Sequence, residues 1–213
     1  MQPGKLTIYL IALLLSLLGC RQANQFNLAE WNSLKVYHDL DAALLDKDSV
    51  ERLDISNHSV YTAFPEEIRQ LKNLKVLIIR GNECASFVPD YCKHITEIPA
   101  WVKELKHLEL MFLPANYIQQ IPDELLLLPK LKGLSLTDNR RIDLSNTNAL
   151  SNLEYLYING AQLNSLPESM CLLTNLKELG LHGNMLDSAE AARIQHCLPN
   201  CKVSIGTQYP AYK

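Results

Sequence analysis

The spacing L-x-x-L-x-L-x-x-N constrains this chain more than any other feature, and Leu131, Leu134, Leu136 and Asn139 show it most clearly. It recurs at Leu108, Met111, Leu113 and Asn116, at Leu176, Leu179, Leu181 and Asn184, and at Leu74, Leu77, Ile79 and Asn82. Two weaker copies are Val50, Leu53, Ile55 with His58, and Leu153, Leu156, Ile158 with Ala161. The closing positions of these six copies lie 24, 34, 23, 22 and 23 residues apart. The long step is one period plus an insertion of about eleven residues, at roughly 83–94. Self-similarity at such a period marks stacked structural units.

One copy cannot bury its own leucines, so neighbours must stack to close a continuous core. The two leucines flanking one residue, as in Leu134-Ser135-Leu136, alternate with period two and read as a short strand. Successive strands are expected to pair in parallel, each return segment supplying the crossover. The chain turns at the asparagine, whose amide offers a donor and an acceptor to unpaired backbone groups there. The ladder Asn82, Asn116, Asn139 and Asn184 follows, interrupted at His58 and Ala161. Prolines at 65, 99, 122 and 167 punctuate the other half of each copy and are followed by apolar residues three apart. Proline suits the first turn of a helix, so short helices or 3₁₀ turns are expected on the outer side. The segment Arg140–Ala149 has no such proline and reads as the least regular turn.

These copies resemble the leucine-rich repeat. The resemblance implies an α/β solenoid: a horseshoe with a curved parallel sheet on its concave face and short helical or 3₁₀ turns on its convex face. Residues 50–186 would hold the six repeats. Residues 33–49 read as a helical N-terminal cap, with apolar residues at 34, 37, 40, 43 and 44. They resemble the cap of leucine-rich repeat proteins from Bacteroidetes-type bacteria. Residues 187–213 read as a C-terminal cap and tail, with a helix over Ser188–Cys197 and a last strand over Lys202–Ile205.

Lys5 precedes an apolar run from Leu6 to Leu18, followed by Gly19 and Cys20. A basic start, a short apolar core and a small residue make a secretory signal over 1–19. The run is too short to span a bilayer comfortably, which takes about 20 residues. Leu17-Leu18-Gly19-Cys20 resembles the bacterial lipobox, and the resemblance implies lipidation of Cys20. Residues 20–32 then read as a polar linker. A lipid-anchored protein of the cell envelope follows, with the periplasm-facing outer membrane favoured.

Export permits oxidation, so Cys84 and Cys92 read as a disulfide at the base of the insertion. The alternative of Cys84, Cys92 and His94 as metal ligands lacks a fourth ligand and a zinc-like spacing. Near the C-terminus either Cys197 pairs with Cys201, or Cys171 joins one of them.

The chain has no G-x-S-x-G elbow, no phosphate loop and no H-E-x-x-H, so no catalytic set, metal or cofactor is expected. A net charge of -3 gives no sign of nucleic-acid binding. Function is expected from the concave face. There Val76, Ile78, Leu110 and Phe112 form an adjacent apolar group, with Arg80 beside them and Tyr155, Tyr157 and His182 further along. An exposed apolar and aromatic row marks a binding site, so the partner is expected to be a protein or peptide. The alternative for the apolar group is that the insertion Glu83–His94 folds over Val76 and Phe112 and hides them. The competing reading is a structural or adhesion protein contacting host matrix, glycan or itself.

Overall fold

The computed structural model describes residues 31–56, 61–81 and 94–206. The expected signal peptide, Cys20, His58, Asn82 and the pair Cys84 and Cys92 lie outside the described residues. The unit Ser33–Lys213 carries the whole sheet. Its strands are β1 (Val36–Tyr37), β2 (Arg52–Asp54), β3 (Val76–Ile78), β4 (Leu110–Phe112), β5 (Gly133–Ser135), β6 (Tyr155–Tyr157), β7 (Glu178–Gly180) and β8 (Lys202–Ser204). All pair in parallel and in chain order, β1 through β8. The six copies contribute β2 to β7, in the register that the repeat requires: Leu53, Leu77, Met111, Leu134, Leu156 and Leu179 are successive partners.

Those six side chains are fully buried. A second lane, Ile55, Ile79, Leu113, Leu136, Ile158 and Leu181, lies beside them, and Leu74, Leu108, Leu131, Leu153 and Leu176 close the core at the strand entry. Full burial of one such side chain contributes about 1.5–3 kcal/mol, and only stacked neighbours make that burial possible. The solenoid is therefore held by its lanes.

The return segments are 3₁₀ turns at Glu66–Gln70, Ala100–Glu104, Asp123–Leu127, Thr147–Leu150 and Glu168–Leu172. Pro65, Pro99, Pro122 and Pro167 immediately precede four of them, with φ of -61°, -72°, -76° and -60°, where the pyrrolidine ring already holds the chain. Each turn then buries one apolar residue: Ile68, Val102, Leu125 and Met170. The segment without proline forms its turn as well, one residue shorter. Asn146 stands in the proline's place, and its side chain donates to Ile121 O and to Asp123 Oδ1, both at 2.9 Å. A side-chain clamp replaces a rigid ring.

The asparagine ladder runs backwards along the solenoid. Asn116 donates to Ile79 O at 2.9 Å, Asn139 to Leu113 O at 2.7 Å and Asn184 to Ile158 O at 2.7 Å. Their Oδ1 atoms accept from the N–H groups of Ile95, Ile118 and Leu163. Each amide thus joins its own turn to the one before. At the fifth copy Ala161 cannot do so. Leu136 O, the carbonyl an asparagine there would reach, accepts instead from Asn139 N at 3.1 Å within its own turn. The residue before each of the last four ladder positions is left-handed: Ala115, Asp138, Gly160 and Gly183 have φ of 55°, 59°, 65° and 71°. A Cβ at Gly160 would also meet Asp138 Oδ1, and that carboxylate would have to move aside.

The N-terminal edge differs from a plain helical cap. β1 takes the edge of β2, and helix α1 covers only Leu40–Leu45, burying Leu40 and Ala43. Asp39 stops the strand and starts the helix, its carboxylate accepting from Ala42 N at 2.8 Å. At the other end helix α2 (Ser188–Cys197) is capped in the same way by Asp187. Cys171 bonds to Cys197, tying the last 3₁₀ turn to α2, and Cys201 is a free, half-buried thiol. Burial, and secondarily Glu178, push that thiol up to about 11.

Candidate binding face

The side chains on the face opposite the leucine lanes form two columns across the strands. Arg52, Val76, Leu110, Gly133, Tyr155, Glu178 and Lys202 are register partners, as are Asp54, Ile78, Phe112, Ser135, Tyr157, Gly180 and Ser204. Backbone bonds extend the ladder beyond the strands, from Gly81 N to Pro114 O, Ala115 N to Thr137 O, Asp138 N to Asn159 O and Gly160 N to His182 O. The sequence-derived residues therefore do share one face.

The apolar group in its middle is not an open patch. Val76 and Leu110 are fully buried, Phe112 is 2% exposed and Tyr157 5%. Ile78 and Arg80 are half-buried. The expected exposed row is corrected on this point. Part of the reason is register: Val76 stands against Leu110 and Ile78 against Phe112, one strand spacing of about 4.8 Å apart, so their apolar surface is spent on each other. Gly133, Ser135 and Thr137 beside them are buried too, with the two hydroxyls 3.3 Å apart.

The open part lies over β6, β7 and β8. His182 and Lys202 are exposed, and Tyr155, Asn159, Glu178 and Ser204 are half-buried. This end is a connected polar platform. The Tyr157 hydroxyl donates to Glu178 Oε2, and Lys202 donates to Glu178 Oε1 at 2.7 Å. Asn159 donates to Thr137 Oγ1 at 3.4 Å and accepts from His182 N at 2.8 Å. Tyr157 reaches Glu178 because its ring lies across Gly180, where a Cβ would strike Cδ1 of the ring. His182 lies across Gly206 in the same manner. Both aromatic side chains are thus laid towards the C-terminal end over positions that carry no side chain.

Burial pushes the Glu178 carboxyl up, but the hydrogen bonds from Lys202 and Tyr157 outweigh it and hold the group below its ordinary value. Burial, and then the bond to Glu178, raise the Tyr157 phenol far above its own, so it stays a neutral donor. A carboxyl with a depressed folded value stabilises the fold above its unfolded value, and that contribution is lost as pH falls through the folded one. Glu178→Gln is accordingly expected to flatten the acid limb of stability, leaving a smaller drop in urea midpoint between neutral and acid pH than the wild type shows.

Glu178, Lys202 and Asn159 were not legible as a set in the repeat pattern. Lys202 lies on β8, outside the six copies, so only strand register brings it to Glu178. Among the described residues no three His, Cys, Asp or Glu side chains converge as a metal set, and no helix is long and apolar enough to cross a membrane.

No family model matches the chain, and no curated protein matches it. Among solved structures it is similar to a leucine-rich repeat protein of Leptospira interrogans, at 32% identity and a TM-score of 0.51, over 66% of this chain and 33% of that one. It is also similar to an internalin from Listeria monocytogenes, at 22% identity and a TM-score of 0.51, over 76% of this chain and 49% of that one. The chain thus spans a third of the first and about half of the second. Both of these neighbours are bacterial proteins, and the fold of this chain is the leucine-rich repeat solenoid.

Proposed function

We propose that this protein is a non-catalytic recognition module, tethered to a bacterial envelope by lipid on Cys20, that binds a protein or peptide through the C-terminal part of its concave face. The observation that carries the reading is the platform over β6 to β8, where Tyr155, His182 and Lys202 meet solvent above the fixed pair Tyr157 and Glu178. Aromatic residues held rigidly at a surface are effective anchors, because little side-chain freedom is lost on contact. The middle of the face, being buried, contributes support. The neighbouring fold is one used for protein interaction, which is consistent with this reading.

The test uses envelope extract and two variants. The pair Tyr155→Asp with His182→Asp changes open positions and spares the buried Phe112 and Tyr157. It is expected to reduce partner recovery about tenfold or more; equal recovery by wild type and variant would sink the reading. Cys20→Ser removes the thiol that would be acylated and is expected to move the protein from the membrane fraction to the soluble one. Retention in the membrane would exclude the anchor.

A further inference from the structure

The residues one step ahead of β2 to β7 alternate in charge without exception: Glu51, Lys75, Glu109, Lys132, Glu154, Lys177. They form a row across the sheet's flank, because each backbone N–H donates to the carbonyl of the residue before it in the row. These bonds are 2.8, 2.8, 2.9, 2.8 and 2.7 Å long from Lys75 to Lys177. At the strand spacing the row is about 24 Å long. Within it Lys75 pairs with Glu51, Lys132 with Glu109 at 4.0 Å and Lys177 with Glu154 at 2.7 Å. The side chains remain partly in water, from 16% exposed at Glu109 to 62% at Lys177. A carboxylate accepts about four hydrogen bonds and an ammonium donates three, so one ion pair does not by itself use up either kind of group. Lys35, ahead of β1, is turned instead to Asp46 and Tyr37.

Turned end for end, this row is its own complement. Glu51 then faces Lys177, Lys75 faces Glu154, and Glu109 faces Lys132. A two-fold axis produces this kind of self-matching contact, in which residue i meets j and j meets i. The alternation is selective as well: a slip of one strand, or a parallel arrangement without slip, sets like charge on like throughout. Charge patterns of this type fix orientation and register more than they add affinity.

We propose that this flank is where two copies of the chain meet, antiparallel, with the two-fold axis between Glu109 and Lys132. Each glutamate then lies between a lysine of its own row and a lysine of the other copy, and a chequered network joins the two rows. The concave face stays open to its own partner. Exposed ion pairs contribute little singly, so the dimer is weak and responds strongly to salt.

The experiment is sedimentation velocity of the full chain at about 0.1 M and about 1 M NaCl, between which the screening length falls from about 10 to about 3 Å. Self-association is expected at the lower salt and about tenfold weaker at the higher. Glu109→Lys and Lys132→Glu each place two repelling contacts on the axis, and each alone is expected to be monomeric. Mixed in equal amounts they restore opposite charges across the axis and are expected to form a heterodimer. Both lose the same internal pair, so a purely structural role gives no rescue on mixing. Lys75→Glu with Glu154→Lys is the second such combination, for use if a member of the first melts early. A wild type monomeric at low salt, single variants that associate as the wild type does, or mixtures that stay monomeric would each overturn the proposal.

Discussion

Asn139→Ala is expected to lower the stability of the solenoid by about 3 kcal/mol, as two buried backbone groups lose their partner at once. The side chain is fully buried. It donates to Leu113 O at 2.7 Å and accepts from Ile118 N at 2.9 Å. Alanine leaves a carbonyl and an amide of the preceding repeat without a bond, each at a cost of about 1–3 kcal/mol. Water cannot easily replace the amide, because the leucine lanes flank it. Ala161 shows what a repeat without asparagine requires: there Leu136 O is served by Asn139 N. Urea unfolding measures the effect. A loss under about 0.5 kcal/mol, within the range of ordinary surface changes, would show that the ladder does not hold the turns together.

Reduction of the Cys171–Cys197 bond is expected to cost up to about 3.5 kcal/mol, the loop-closure value for a loop of this length. The bond joins residues 26 apart in sequence and ties α2 to the last 3₁₀ turn. The same end is also held by Arg193, which donates to Leu166 O at 2.8 Å and pairs with Glu190 at 2.7 Å. The loss should therefore begin at α2 and β8, while β2 to β6 stay protected. Hydrogen exchange with and without dithiothreitol separates the two regions: α2 amides are expected to exchange much faster on reduction and Leu134 to change little. Equal acceleration along the whole sheet would contradict a local clamp. Cys201, its thiol pushed up to about 11, stays mostly protonated at neutral pH and is a poor nucleophile for exchange with the bond.

The lanes were legible because the repeat states them six times over. Leu134 and Leu136 flank a single residue, and that period of two leaves little choice but a strand with one face inward. The edges were less legible. Leu34, Tyr37, Leu40 and Leu44 fit helical spacing, yet Asp39 divides the stretch into a strand and a helix, and the cap's hydrogen bond decides the matter. The exposure of the middle of the concave face is not legible in the repeat, for a different reason. Position in the repeat says which way Val76 and Leu110 point, whereas their burial depends on what surrounds them in space. Glu178 became part of a site only through Lys202, a neighbour by register and 24 positions away in the chain. The charge row was visible at the second position of each copy, but glutamate and lysine there read one at a time as ordinary solvent-facing residues.

Between β3 and β4 the chain takes 34 positions to advance one strand, against 23 between β4 and β5, and yet Val76 still meets Leu110 in register. The register is the same across the longer connection as across the shorter one. Doubling the length of a flexible connection costs only about 0.6 kcal/mol. A molecule built this way can be given new cargo at that joint, a binding loop or a whole inserted domain, while its scaffold keeps its geometry.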